Sequence, residues 1–335
     1  MHARFLTFVS GFAVAAALLA VSSGQAGAAG KNSGPGGSPA PKSPVLFNTP
    51  EADALLSRMQ IFPENNPWHE DISRRPLLKE STAMIAGIGA AKTLAYNLDM
   101  AFVIIPPDQP RVEVKLVDYP AESDRGPYPV PPNAPIEGWP LCGGSLDAIQ
   151  RVGTGDRHVI VVDPGNLKLY EFWQGFKTDA GWKASNEATF DMSGNKLRPL
   201  GWTSSDAAGL PIFPAVVRFD EVERGAVDHA LRFTVRHTRR AYLYPATHQA
   251  GKGNDPTVPA MGERFRLKAS ANLTGLPKHA LAIAHALQKY GMFVADNGGD
   301  WRLSIAPDSR IQGLDALRRF KGGDFEVVEP TPAPK

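Results

Sequence analysis

Seven prolines fall between Tyr119 and Pro140, and neither a helix nor a sheet ladder can run through so much proline. The stretch reads as a long proline-rich strap. It carries Tyr128 and Trp139 with the acidic residues Glu122, Asp124 and Glu137, and long straps without secondary structure often line a site. With 30 prolines and 32 glycines in 335 residues, every other element should be short as well. The fold class expected is α+β and mainly β: antiparallel sheets in a sandwich or barrel, with a few peripheral helices.

The strands announce themselves by alternation. Arg157 to Val162 and Leu167 to Trp173 flank Asp163-Pro164-Gly165-Asn166, the clearest hairpin in the chain. Tyr96 to Ile105 and Arg111 to Tyr119 read as an antiparallel pair, and Trp182 to Phe190 as one strand. Met292 to Ala295 and Trp301 to Ile305 read as a hairpin around Asp296-Asn297-Gly298-Gly299. Arg264 to Ala269 and Phe325 to Val328 add two more strands. Helices are expected at Thr49 to Met59, Ser81 to Ala91, Leu276 to Tyr290 and Ile311 to Phe320.

The N-terminus has a different composition. Arg4 precedes an apolar run from Phe5 to Ala20, and Ala26-Gly27-Ala28 fits a signal-peptidase site, so residues 1–28 read as a signal peptide. Gly, Ser, Pro, Lys and Asn make residues 29–45 a disordered linker, and residues 330–335 a disordered tail. A single globular domain is expected over 46–329. The product is then secreted or periplasmic, with no membrane attachment after cleavage, as a monomer or small oligomer. Cys142 is the only cysteine, so no internal disulfide forms. A net charge of +2 with both signs interspersed argues against nucleic acid.

Polar residues crowd most densely between Phe190 and His248. The candidate catalytic groups are Asp206, His229, Arg232, Asp296, Glu221 and His248, with Trp202, Tyr242 and Trp139 as sugar-stacking platforms. A glycosidase needs two facing carboxyls. A lyase needs a base and a cation for the sugar carboxylate, roles that His229 and Arg232 would fill. Asp206 is read as projecting from a turn, where replacement by Asn would leave stability unchanged. His229, His237 and His248, with Asp228 and His158, lack helical metal spacing, and the strand face that His229 shares with Leu231 and Phe233 favours burial. No metal or other cofactor is expected.

The Val159–Asp163 and Leu167–Glu171 hairpin resembles the opening of an L,D-transpeptidase catalytic domain. That family places its nucleophile in a Ser-His-Gly-Cys run, whereas Pro140-Leu141 precede Cys142, so no chemistry transfers. A wider resemblance rests on Phe62 to Trp68, Gly155-Asp156-Arg157-His158, Gly201 to Asp206, His229 to Thr234 and Tyr290 to Gly298. Together these resemble a group of exported bacterial proteins of unassigned function, which implies export and one domain and assigns no catalytic residue. The expected function is a secreted carbohydrate-active enzyme, hydrolase or lyase, acting on a polysaccharide or envelope glycan. The alternative is a non-catalytic glycan-binding protein.

Overall fold

A computed structural model describes residues 40–334. The expected signal peptide and residues 29–39 of the expected linker lie outside the described residues. Among the described residues, no helix is long and apolar enough to cross a membrane.

The chain is mainly β, with three sheets and few helices. The first sheet has the strand order Val45–Leu46, Phe102–Ile104, Val159–Asp163, Lys168–Trp173, Asn186–Asp191. The second runs Phe325–Val327, Arg264–Leu267, Met292–Asn297, Leu231–Val235, Arg302–Ile305, Ala95–Leu98. The third is small: Val114–Leu116, Gly181–Ala184, Phe176–Thr178. The expectation of purely antiparallel sheets in a sandwich or barrel needs correcting. Each sheet contains a parallel pair, at Phe102–Ile104 with Val159–Asp163, Leu231–Val235 with Met292–Asn297, and Val114–Leu116 with Gly181–Ala184, and none closes into a barrel. Alternation along one strand reports which side chains share a face. It carries no information about the direction of the neighbouring strand.

The hairpin at Asp163 forms as expected, with antiparallel register from Val159 opposite Phe172 to Asp163 opposite Lys168. Asp163 Oδ1 accepts the Asn166 backbone N–H at 2.9 Å and closes the turn. Two expected strands are each divided between sheets, and the expected pairing of Tyr96 to Ile105 with Arg111 to Tyr119 does not form. The apolar run from Tyr96 to Ile105 is divided: Ala95–Leu98 belongs to the second sheet and Phe102–Ile104 to the first, with Asp99 at the crossing. The run from Trp182 to Phe190 is split between the third and first sheets at Ser185.

The expected hairpin at Asp296 is also split. Leu231–Val235 inserts between Met292–Asn297 and Arg302–Ile305, parallel to one and antiparallel to the other. The glycine-rich connection arches over the inserted strand: Gly298 N–H donates to Val235 O at 2.9 Å, and Thr234 Oγ1 to Gly299 O at 2.6 Å. A bulge on this ladder, between Phe233 and Thr234, brings Thr234 opposite Asp296.

Helix Pro50–Leu56 is capped by Thr49, whose side chain accepts from the Ala52 N–H at 3.2 Å. Helix Ser81–Ile88 falls inside its expected span, while Ile311 to Phe320 yields only a 3-10 segment at Leu314–Arg319. Helix Lys278–Lys289 buries Ala280, Ile283, Ala284 and Leu287 along one stripe. It stops at Gly291, where φ is +67° and a Cβ would meet Phe265 O at 2.2 Å, so only glycine fits. Trp301 is fully buried at the heart of the second sheet, stacked with Phe233 and Phe325 and edge-on to Phe265.

Candidate functional site

Arg232 projects from the central strand of the second sheet and is 3 % exposed. Its Nε donates to Asp206 Oδ2 at 2.8 Å, its Nη2 to Asp206 Oδ1 and its Nη1 to Ser304 Oγ. Ser304 shares that face because Leu303 is opposite Phe233 on the neighbouring strand. Asp206, fully buried, arrives on the loop after Asn186–Asp191, and this loop is tied down locally. Ser204 Oγ donates to Leu210 O at 2.6 Å and accepts the Asp206 N–H at 3.0 Å, while Ala208 N–H reaches Ala295 O at 2.9 Å. The result is a bidentate, desolvated carboxylate–guanidinium pair.

Three acidic groups gather about this pair. Asp296 ends its strand half-buried, and its pKa is pushed up to about 7 by burial and by the Asp206 charge, against the pull of Arg232. Asp99, at the crossing between the sheets, is also raised to about 7. Burial is the main cause, Arg232 opposes it and Glu137 adds to it. Gly138 N–H donates to Asp99 O at 2.7 Å, which joins the expected strap to the crossing. Glu171 comes from the first sheet and is fully buried. Its carboxyl accepts the Ile212 and Phe213 backbone N–H groups at 2.8–3.0 Å, yet burial still lifts it to about 8.

The rim beside Asp99 and Asp296 is a second polar group, Glu137, Asp156 and His158, whose potential ligand atoms all lie within 4.8 Å of one another. These are the residues present that could hold a metal ion. Aromatic rings border them. Trp173 Nε1 donates to Asp156 Oδ1 at 3.2 Å, Tyr119 packs on Trp173 with ring centroids 6.0 Å apart, and Trp139 lies two residues beyond Glu137. Exposure rises from the buried Asp206, Arg232 and Glu171 to the half-exposed Asp99, Glu137 and Asp296 and the exposed Asp156. His158, 2 % exposed, remains buried beside them.

The expected site residues therefore divide. Asp206, Arg232 and Asp296 come together, and His248 lies alongside, with Nδ1 2.7 Å from Ala207 O. Glu221 and His229 do not join them. His229 Nε2 is 3.0 Å from Glu221 Oε1, and Nδ1 is 2.8 Å from Ala230 O, so both ring nitrogens face acceptors inside the protein. Glu221 also accepts the Arg218 backbone N–H at 3.1 Å and pairs with the Arg218 guanidinium. It thereby caps helix Phe219–Arg224. Burial would raise its pKa, but Arg218 and His229 outweigh burial and hold it down at about 2. Glu221 and His229 thus pair with each other and with Arg218, while Arg232 is committed to Asp206.

Of the expected platforms, Trp139 follows Glu137 by two residues and packs against the main core. Trp202 is half-buried with the Arg198 guanidinium 5.6 Å from its ring, and Tyr242 packs against the core. A separate, nearly filled indentation of about 30 Å³ is lined by Phe62, Trp68, Phe190, Lys196, Arg198 and Tyr244, and none of its lining residues is acidic. Asp99, Glu171 and Ser304 were not legible as site residues; Glu137 was visible only as a strap acid, and His158 only as an addition to a histidine set that it does not join.

Comparison with protein-family models, curated proteins and solved structures finds no match for this chain. The functional reading rests on the site itself.

Proposed function

We propose that the protein is a secreted or periplasmic carbohydrate-active hydrolase that works by acid–base chemistry at Asp296 and Asp99, with a polysaccharide or envelope glycan as substrate. The observation that carries this reading is a pair of carboxyls, Asp99 and Asp296, both raised to about 7 by burial and both within the field of one buried guanidinium, Arg232, itself fixed by Asp206 and Ser304. A carboxyl that titrates near neutral pH is suited to give a proton to a leaving oxygen or to take one from water. Fixing the guanidinium by three hydrogen bonds keeps the local field constant during such a transfer. Trp173, whose indole donates to Asp156, and Tyr119 packed on it are the aromatic residues nearest the carboxylates, and rings of this kind suit sugar stacking.

A non-catalytic glycan-binding role is the second reading, supported by the aromatic rings and the two cations, Lys196 and Arg198, that line the small indentation without an acid. The two readings separate on one experiment. Purified protein is incubated with neutral and acidic polysaccharides, and new reducing ends are counted. Hydrolysis by the wild type is expected, without the ultraviolet absorbance of an unsaturated uronate. Asp296→Asn, at a half-exposed strand end, should keep its fold and lose at least about 100-fold in turnover. Wild-type turnover in that variant would overturn the assignment of Asp296. Retention of a glycan with no cleavage would favour the binding role.

A further inference from the structure

We infer that Glu137, Asp156 and His158 form a divalent transition-metal site, with zinc the best-matched ion. The inference does not depend on the glycan reading, because it concerns a ligand set that can be tested by binding alone.

The strongest sign is the imidazole. His158 is 2 % exposed, and its Nδ1 is buried with no hydrogen-bond partner among the described residues. A buried ring nitrogen ordinarily finds a partner, because leaving it unpaired costs about 1–3 kcal/mol. Here the ring lies beside two carboxylates, with one potential ligand atom of each residue inside a 4.8 Å group. Tetrahedral ligands about 2.1 Å from a zinc ion are separated by roughly 3.4 Å, so modest side-chain rotation closes the set.

The charge balance points the same way. Glu137 and Asp156 bring two carboxylates to the one imidazole. Arg157, the nearest cation in sequence, does not neutralise them by pairing. Its guanidinium donates to the carbonyls of Ile149, Gln150, Val152 and Gly175 and lies 3.8 Å from the centre of the Phe176 ring. A divalent cation would compensate this negative charge.

The ligands are also oriented from outside. The His158 backbone N–H holds Glu137 Oε2 at 3.3 Å, and the Trp173 indole holds Asp156 Oδ1 at 3.2 Å. The chain positions the set through the first sheet. His158 immediately precedes strand Val159–Asp163, and Glu137 is joined to it by a backbone bond from Glu137 N–H to His158 O at 3.0 Å. One imidazole and two carboxylates suit zinc or manganese better than magnesium or calcium, which prefer oxygen alone. Three protein ligands leave a position open for water, the arrangement of catalytic rather than structural zinc.

The test uses the purified protein stripped with chelator and dialysed. Titration with Zn²⁺ in a calorimeter should show one site per chain, and Co²⁺ should give the visible absorption of a four-coordinate nitrogen and oxygen site. Asp156→Asn, at an exposed position, should weaken Zn²⁺ binding at least about tenfold without altering the melting temperature of the metal-free protein. His158→Gln should weaken it at least as much, with circular dichroism reporting whether the fold is kept. Absence of saturable Zn²⁺ binding by the wild type overturns the inference. So does undiminished binding by a folded Asp156→Asn variant, which would place the ion at other histidines.

Discussion

Asp206→Asn is expected to lower the unfolding free energy by about 3–5 kcal/mol, the usual cost of removing one partner from a buried ion pair. Both Asp206 oxygens accept from Arg232, and the pair is almost fully desolvated. An asparagine of the same shape keeps one acceptor but leaves the guanidinium without its formal counter-charge. This reverses the sequence-based expectation that Asp206 projects from a turn and tolerates Asn. Urea unfolding measures the effect, and a change below about 1 kcal/mol would sink this account of the pair. The double variant Asp206→Asn with Arg232→Met should recover part of the loss, because it removes the buried charge along with its partner. If both changes simply add, the two residues are not coupled.

Glu171 gives the second large effect, and it is a pH dependence. Its carboxyl is raised to about 8 in the folded protein, above the ordinary glutamate value near 4.3, so the native state holds its proton more tightly than the unfolded chain. Between those two values the native state binds more protons, and stability falls as pH rises. The contribution is complete below the unfolded pKa and is lost on passing through about 8. Its slope is about 1.4 kcal/mol per pH unit. Glu171→Gln keeps an acceptor for the Ile212 and Phe213 N–H groups and carries no ionisable proton. The variant should therefore match the wild type near pH 5 and exceed it near pH 8.5, as read from denaturant midpoints. Parallel pH profiles for the two proteins would contradict the assignment.

Much of the architecture was legible wherever a signal is local. The Asp163 turn, the Thr49 cap and the apolar stripe ending at Gly291 each sit within a few residues of the structure they determine. The candidate site was legible in its central members, Asp206, Arg232 and Asp296, because each is a charged residue beside an apolar strand or a glycine turn. Its remaining members depend on long-range order. Asp99 falls inside an apolar run that reads as one strand, and only the passage from one sheet to the other makes it a site residue. Glu171 alternates correctly for an outward-facing charge, yet its face is covered by the chain at Ile212 and Phe213. Glu221 and His229 stand apart: one reads as a turn carboxylate and the other as a base beside Arg232, and the helix cap that joins them depends on Arg218.

The inserted strand Leu231–Val235 sets an order on assembly. Both of its ladder neighbours, Met292–Asn297 and Arg302–Ile305, lie later in the chain. Until the polypeptide beyond Gly291 is present, Arg232 lacks Ser304 and the neighbouring charge of Asp296, and its strand has nothing on either side. A chain truncated after helix Lys278–Lys289 would carry most of the sequence and none of the finished centre. Completion of the C-terminal segment is thus the event that turns scattered polar residues into a single electrostatic unit.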